Sequence, residues 1–133
     1  MERKELYATQ DEFNRRVVRY QDVPPIELAA GIKSHIVSAE KITVSFVTVE
    51  PNAQVPIHHH EAEQIMIIAD GACDQIADGK LYHLETGDVF IVPSNSEHGT
   101  YVFEKGCQTI EVFSPPRQDF VAKLKAVRKG LEK

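Results

Sequence analysis

An all-β sandwich or closed barrel is the fold class this sequence predicts, on three observations. After Pro24-Pro25 the chain is a series of short β-branched or apolar runs, around eight in number, with no helical periodicity between them. Turn dipeptides separate these runs at short spacing: Asp78-Gly79, Gly87-Asp88 and Lys105-Gly106. Helical spacing of apolar residues is confined to the two ends.

Taken in order, TQDEFNRRVVRY (9–20) predicts a short helix. Thr9 and Glu12 fit a capping box, with Phe13, Val17 and Tyr20 along one side. ITVSFVTVE (42–50) alternates as a strand, with Ile42, Val44, Phe46 and Thr48 on one face. QIMIIAD (64–70) is a short apolar strand ending at Gly71. ACDQIA and KLYHLE flank Asp78-Gly79, a two-residue hairpin signal of type I′. VFIVP follows the Gly87-Asp88 turn as a strand, and HGTYVFE and CQTIEVF flank Lys105-Gly106 as a third hairpin. Beyond Pro115-Pro116, residues 117–131 carry Phe120, Leu124, Val127 and Leu131 at helical spacing. The lysines and arginine around them read as a solvated helix face.

At 133 residues the chain has the length of one domain, 1–133, with an ordinary globular composition of 42% apolar and 26% charged residues. A net charge of -5 argues against nucleic acid as a partner, because phosphate binding needs a basic face. No apolar run approaches the roughly 18 residues of a membrane span. MERKELYATQDEF lacks the apolar core of a signal peptide, so a cytoplasmic location is expected. Cys73 and Cys107 have no metal or redox spacing and read as buried small hydrophobes.

The chemistry-bearing stretch is VPIHHHEAEQ (55–64). Side chains two apart in a strand share a face, so His58 and His60 point together and His59 points away. Such a pair can grip one metal ion if a third group joins it. If the chain reverses at Glu61-Ala62-Glu63, Gln64 begins the next strand and can face the same point. Downstream, Gly87, Pro93 and His98 form a G(x)5P(x)4H pattern. Together, HxH(x)3Q and this pattern resemble the two motifs of the cupin superfamily, G(x)5HxH(x)3-4E(x)6G and G(x)5PxG(x)2H(x)3N. His58, His60, Gln64 and Gly71 match the first (about 52–71); Gly87, Pro93 and His98 match the second (about 87–102). Asn52 and Asn95 stand at glycine positions of those motifs, where Asn is the next-best residue for a positive φ. Gln64 stands at the Glu position.

The resemblance implies a cupin double-stranded β-helix, or jelly-roll barrel, with one divalent transition metal (Zn, Ni, Fe, Mn or Co) held by His58, His60, Gln64 and His98. Gln in place of Glu keeps an oxygen ligand without its charge. The ion is then a stronger Lewis acid and attracts an anionic substrate. The missing carboxylate also moves the site away from the 2-His-1-carboxylate pattern of iron oxygenases.

A narrower resemblance lies at Glu111-Val112-Phe113-Ser114-Pro115-Pro116-Arg117-Gln118-Asp119-Phe120, similar to a run in small single-domain cupins of the pectin-degradation (KdgF-like) group. That group converts 4,5-unsaturated uronates to open-chain keto sugars. The resemblance implies catalytic roles for Glu111, Phe113 and Arg117, with Glu111 one methylene longer than the usual Asp. Arg117 offers forked donors for a carboxylate, and Glu111 could act as acid or base. Met66 and Tyr101 are expected at the cavity wall, and His35 and His83 as structural. The function expected is a metal-dependent enzyme of carbohydrate metabolism acting on a small anionic substrate. A non-catalytic metal or small-ligand binding cupin and a metal-dependent lyase or dioxygenase are the alternatives. Small cupins commonly pair through a barrel sheet, and the apolar residues on both faces of QIMIIAD and VFIVP are compatible with a homodimer.

Overall fold

A computed structural model describes residues 2–132; the first and last residues of the expected 1–133 domain lie outside it. A capped helix α1 (Gln10–Arg16) leads in. The Thr9 hydroxyl accepts from the Glu12 backbone N–H at 3.2 Å, and the Thr9 N–H donates to the Glu12 carboxylate at 2.9 Å, forming the expected capping box. The helix stops at Arg16, short of the expected residue 20. Val17 is already extended (φ -112°), as suits the two β-branched residues there. Tyr20 sits instead in a 3-10 turn and stacks on Phe46, ring centroids 3.9 Å apart, so the expected Phe13–Val17–Tyr20 stripe does not form.

Eight strands follow among the described residues: β1 (Ile26–Ala29), β2 (Ile32–Ser38), β3 (Thr43–Val49), β4 (Gln54–His58), β5 (Glu63–Ala77), β6 (Lys80–Glu85), β7 (Val89–Val92) and β8 (His98–Ser114). Helix α2 (Gln118–Leu131) closes the chain. All pairings are antiparallel. β5 and β8 are long and run side by side, and each bends so that its two halves serve two layers. Residues 63–71 of β5 and 107–114 of β8 join β3 and β7, whereas residues 73–77 and 98–102 join β4 and β6. The result is a double-sheet jelly roll.

The expected third hairpin at Lys105-Gly106 is therefore absent. A hairpin would pair the two halves of β8 with each other. Each half pairs instead with a half of β5, and the register slips between Gly71↔Cys107 and Cys73↔Val102. The strand bulges through the slip, with Gly106 at φ 66° and Gly71 at φ 91°. A Cβ on Gly71 would lie 2.9 Å from the Gly106 carbonyl oxygen, so the two bends nest only as glycines. The same slip joins QIMIIAD and ACDQIA into one strand through Gly71.

The bends also switch side-chain parity. Gln64, Met66 and Ile68 face inward before the bend in β5, and Cys73, Gln75 and Ala77 after it. In β8 the inward set changes from His98, Thr100 and Val102 to Cys107, Thr109 and Phe113. On β3 the inward face is Thr43, Ser45, Val47 and Val49, opposite to the Ile42–Val44–Phe46–Thr48 face. Asp78 (φ 52°) and Gly79 (φ 75°) form the expected type I′ hairpin, and Asn52 (φ 60°) and Asn95 (φ 61°) take the positive φ expected of them.

The main core joins Ile32, Val47, Val49, Met66, Ile68, Cys73, Leu84, Val102 and Cys107. Both cysteines are buried and free. Phe120 of α2, flanked by Leu124 and Val127, packs on Ile26, Ile36, Ala62 and Phe113, which sets the helix across one end of the barrel. No helix among the described residues is long and apolar enough to cross a membrane.

Candidate functional site

A cavity of about 410 Å³ opens between the two layers. His98 begins β8 and lies opposite His58, the last residue of β4. The two strands approach closely because residue 99 is glycine: a Cβ there would sit 2.8 Å from the Val55 carbonyl oxygen. His60 follows just beyond β4. One ring nitrogen from each of His58, His60 and His98 falls within 4.8 Å of the others, while His59 is exposed and takes no part.

The second ring nitrogen of each histidine sets the tautomer. Nδ1 of His58, His60 and His98 lies 2.8, 2.7 and 2.8 Å from the backbone oxygens of Pro56, Ala62 and Ser96. A carbonyl only accepts, so each Nδ1 carries the proton and each Nε2 offers a lone pair. Burial holds His98 at a pKa of about 4 and also lowers that of His60. Both rings are neutral near pH 7. His98 Nε2 is buried without any hydrogen-bond partner. His60 Nε2 faces Gln64 Oε1 at 3.0 Å, acceptor against acceptor. Lone pairs converging without donors suit a cation, and three imidazoles are suited to a transition metal. The three histidines are positioned for a metal.

Gln64 begins the inward run of β5 and is 3% exposed. Its amide nitrogen donates to Glu111 Oε1, which turns Oε1 of Gln64 toward the histidines. Glu111, half-buried on the cavity wall, also accepts from the Thr109 hydroxyl at 3.0 Å. Burial raises its pKa, opposed by the Thr109 hydrogen bond and the charge of Arg117. Residue 64 thus links the histidines to a carboxyl that the sequence motif treats separately. Thr109 was missed in the sequence, although it shares strand parity with Glu111.

Phe113 is buried, with its ring 5.5 Å from that of His60. Arg117 caps α2 and lines the cavity, its guanidinium 4.9 Å from the Phe113 ring centroid and 3.9 Å from that of Phe120. Its fork is partly occupied: Nε and Nη2 donate to Asp119 at 3.0 and 2.8 Å. The end-on Nη1/Nη2 edge is left for another acceptor. Asp119 escaped the sequence reading; its only signal was an acid in the first turn of a helix behind an arginine.

Met66 lines the cavity as expected. Tyr101 does not: it lies three residues from His98, an odd step that turns it outward, and it is 44% exposed. Thr100 takes the inward place. His35 hydrogen-bonds the Val23 carbonyl oxygen, and His83 pairs with Asp74 on the surface, both structural as expected.

A model of the cupin domain family matches residues 45–112. The chain belongs to the cupin family. This cupin is 31% identical over 109 residues to the pectin degradation protein KdgF of Dickeya dadantii, which covers 80% of the chain and 99% of that relative. It is 23% identical over 115 residues to the H2HPP isomerase of Bacillus subtilis, where it spans 47% of the relative's length. Among solved structures, an RmlC-like cupin from Shewanella frigidimarina superposes with a TM-score of 0.74 at 24% identity, over 79% of this cupin and 95% of that chain. KdgF from Halomonas sp. superposes with a TM-score of 0.70 at 27% identity, over 77% of this cupin and 94% of that chain.

Proposed function

We propose that this cupin is a metal-dependent enzyme that opens and ketonises a small unsaturated uronate by proton transfer. The observation that carries the reading is one cavity lined by His58, His98, the Gln64–Glu111 pair and Arg117, with His60 completing the histidine cluster against Gln64. The nearly full-length likeness to KdgF of Dickeya dadantii, a pectin degradation protein by name, supports the substrate class. His58, His60, Gln64 and His98 would hold one divalent transition metal among Zn, Ni, Fe, Mn and Co. When bound, such an ion acts as a Lewis acid that polarises substrate oxygens.

The remaining roles fall to the chain's own groups. The end-on edge of Arg117 receives the uronate carboxylate, and Asp119 keeps the guanidinium from rotating away. Phe113, beneath Arg117 and beside His60, walls the reacting ring from water. Glu111, anchored by Gln64 and Thr109, is within the same cavity to take and return protons. The anomeric hydroxyl loses a proton and the anomeric carbon–ring oxygen bond breaks, its electron pair staying on the ring oxygen, leaving an aldehyde and an enolate. Returning the proton to the enolate carbon yields the ketone. The step is an isomerisation and needs no oxidant.

Incubation with 4,5-unsaturated galacturonate, following loss of its ultraviolet absorbance, tests the reading. The wild type should consume the substrate and His98→Ala should not; no loss, or equal loss in both, would end it. Purified protein should also hold stoichiometric transition metal, reduced in His58→Ala. The outer faces of β5 and β7, where Ile65 (41% exposed) pairs with Ile91 (64% exposed), are the proposed contact between two copies.

A further inference from the structure

Deep in the barrel, two polar residues have no part in the mechanism above. Gln75 on β5 and Thr100 on β8 are register partners, 1% and 7% exposed, and both line the cavity. The Thr100 hydroxyl donates to Gln75 Oε1 at 2.6 Å. That bond fixes the amide plane and points its NH2 group away from Thr100. Gln75 Nε2 has no hydrogen-bond partner among the described residues. Nor is it sealed from the cavity: among the described residues the sealed polar atom without a partner is His98 Nε2. The amide nitrogen therefore borders the cavity, with two donor hydrogens unused.

A core pair kept only for packing would leave no donor open, because an unsatisfied buried amide costs more than an apolar side chain of the same size. Val47, Val49, Val55 and Met66 line the same cavity, whose polar lining residues include Ser45, Thr109 and Glu111. One oriented donor pair among such side chains is how a pocket fixes the orientation of a ligand. Its place is defined by the strands. Thr100 is two residues from His98 on the same face, a step of about 7 Å. Phe113 and Arg117 lie on the other flank of the histidines, through the Phe113–His60 contact. The histidine centre thus stands between a cationic end at Arg117 and a neutral donor at Gln75 along one cavity.

We infer that Gln75, oriented by Thr100, is a specificity-determining residue that donates a hydrogen bond to a neutral oxygen, hydroxyl or carbonyl, at the end of the substrate remote from its carboxylate. The inference rests on the uronate reading and adds to it a requirement for an acceptor on that remote end. Acids too short to reach it should be poor substrates.

The test uses metal-loaded full-length protein with two readouts: kinetics on 4,5-unsaturated galacturonate, and calorimetric binding of saturated galacturonate. Gln75→Leu should raise KM, and weaken galacturonate binding, by about threefold to tenfold, the effect of one neutral hydrogen bond, with metal content and kcat little changed. Thr100→Val should give a smaller loss, Thr100→Ser should restore wild-type values, and Thr100→Val added to Gln75→Leu should cost nothing further. Wild-type KM and binding in Gln75→Leu, with turnover intact, would overturn this inference alone. A loss confined to thermal stability, rescued equally by any apolar residue, would assign the pair to packing and overturn it too. Failure of the wild type to bind or convert either uronate would overturn the functional reading and this assignment with it.

Discussion

Gly99 couples the barrel backbone to the histidine centre, and Gly99→Ala shows how strongly. A Cβ there would stand 2.8 Å from the Val55 carbonyl oxygen and 3.2 Å from the Ile57 backbone nitrogen. Both contacts are backbone, so neither can rotate aside, and β4 must move off β8 by several tenths of an ångström. His58 follows Ile57 directly and lies opposite His98, so the shift reaches the ligand set. Overpacking of this size costs about 1–3 kcal/mol, or a fall in Tm of roughly 3–10 °C for a chain of this length. Sites of this kind tolerate about half an ångström of misplacement, and metal affinity should fall about tenfold or more. Competition against a chromophoric chelator measures the affinity, and thermal unfolding of the metal-free protein measures the stability. Gly79→Ala is the control. Gly79 also has a positive φ (75°), but nothing lies within 4 Å of its Cβ position. That variant should lose about 1 kcal/mol and no metal affinity. If Gly99→Ala loses the expected stability yet binds metal as tightly as wild type, the close approach of β4 and β8 is not what places His58.

Gln64→Glu removes the donor to Glu111 and sets two carboxylates together in the cavity. Without metal the variant should be about 2–4 kcal/mol less stable near neutral pH, and excess divalent metal should narrow that gap, as read by chemical denaturation. Asp119 has its pKa held below the usual carboxylate range, chiefly by the Arg117 hydrogen bonds. A depressed folded-state pKa gives stability that is present above the unfolded value, about 3.9, and lost as pH falls through the folded one. The stability difference between wild type and Asp119→Asn should thus hold steady above about pH 5 and shrink toward zero in more acidic buffer. A gap that widens in acid would contradict the pairing. Ile91→Lys should convert a dimer to monomer in sedimentation without disturbing metal content, and an already monomeric wild type would reject the proposed contact.

Much of this protein was legible along the chain because its signals are local. The capping box at Thr9, the I′ turn at Asp78-Gly79, the positive-φ Asn52 and Asn95, and the apolar spacing of α2 all depend on neighbours within a few residues. The spacing of His58, His60, Gln64 and His98, set against a known motif, likewise pointed to one centre before any strand was placed. What the chain alone could not decide follows from the two bends. Strand parity runs unbroken only while the ladder does, and the slip opposite Gly71 and Gly106 reverses it. Counted as one regular strand, His98 and Glu111 would point to opposite sides; because β8 bulges between them, both face the same cavity. The pairings that give the site its character also join residues far apart in sequence. Gln64 meets Glu111 across 47 residues, and Gln75 meets Thr100 across 25. Such contacts exist only once strands from distant parts of the chain pair side by side, and that pairing is a property of the folded barrel.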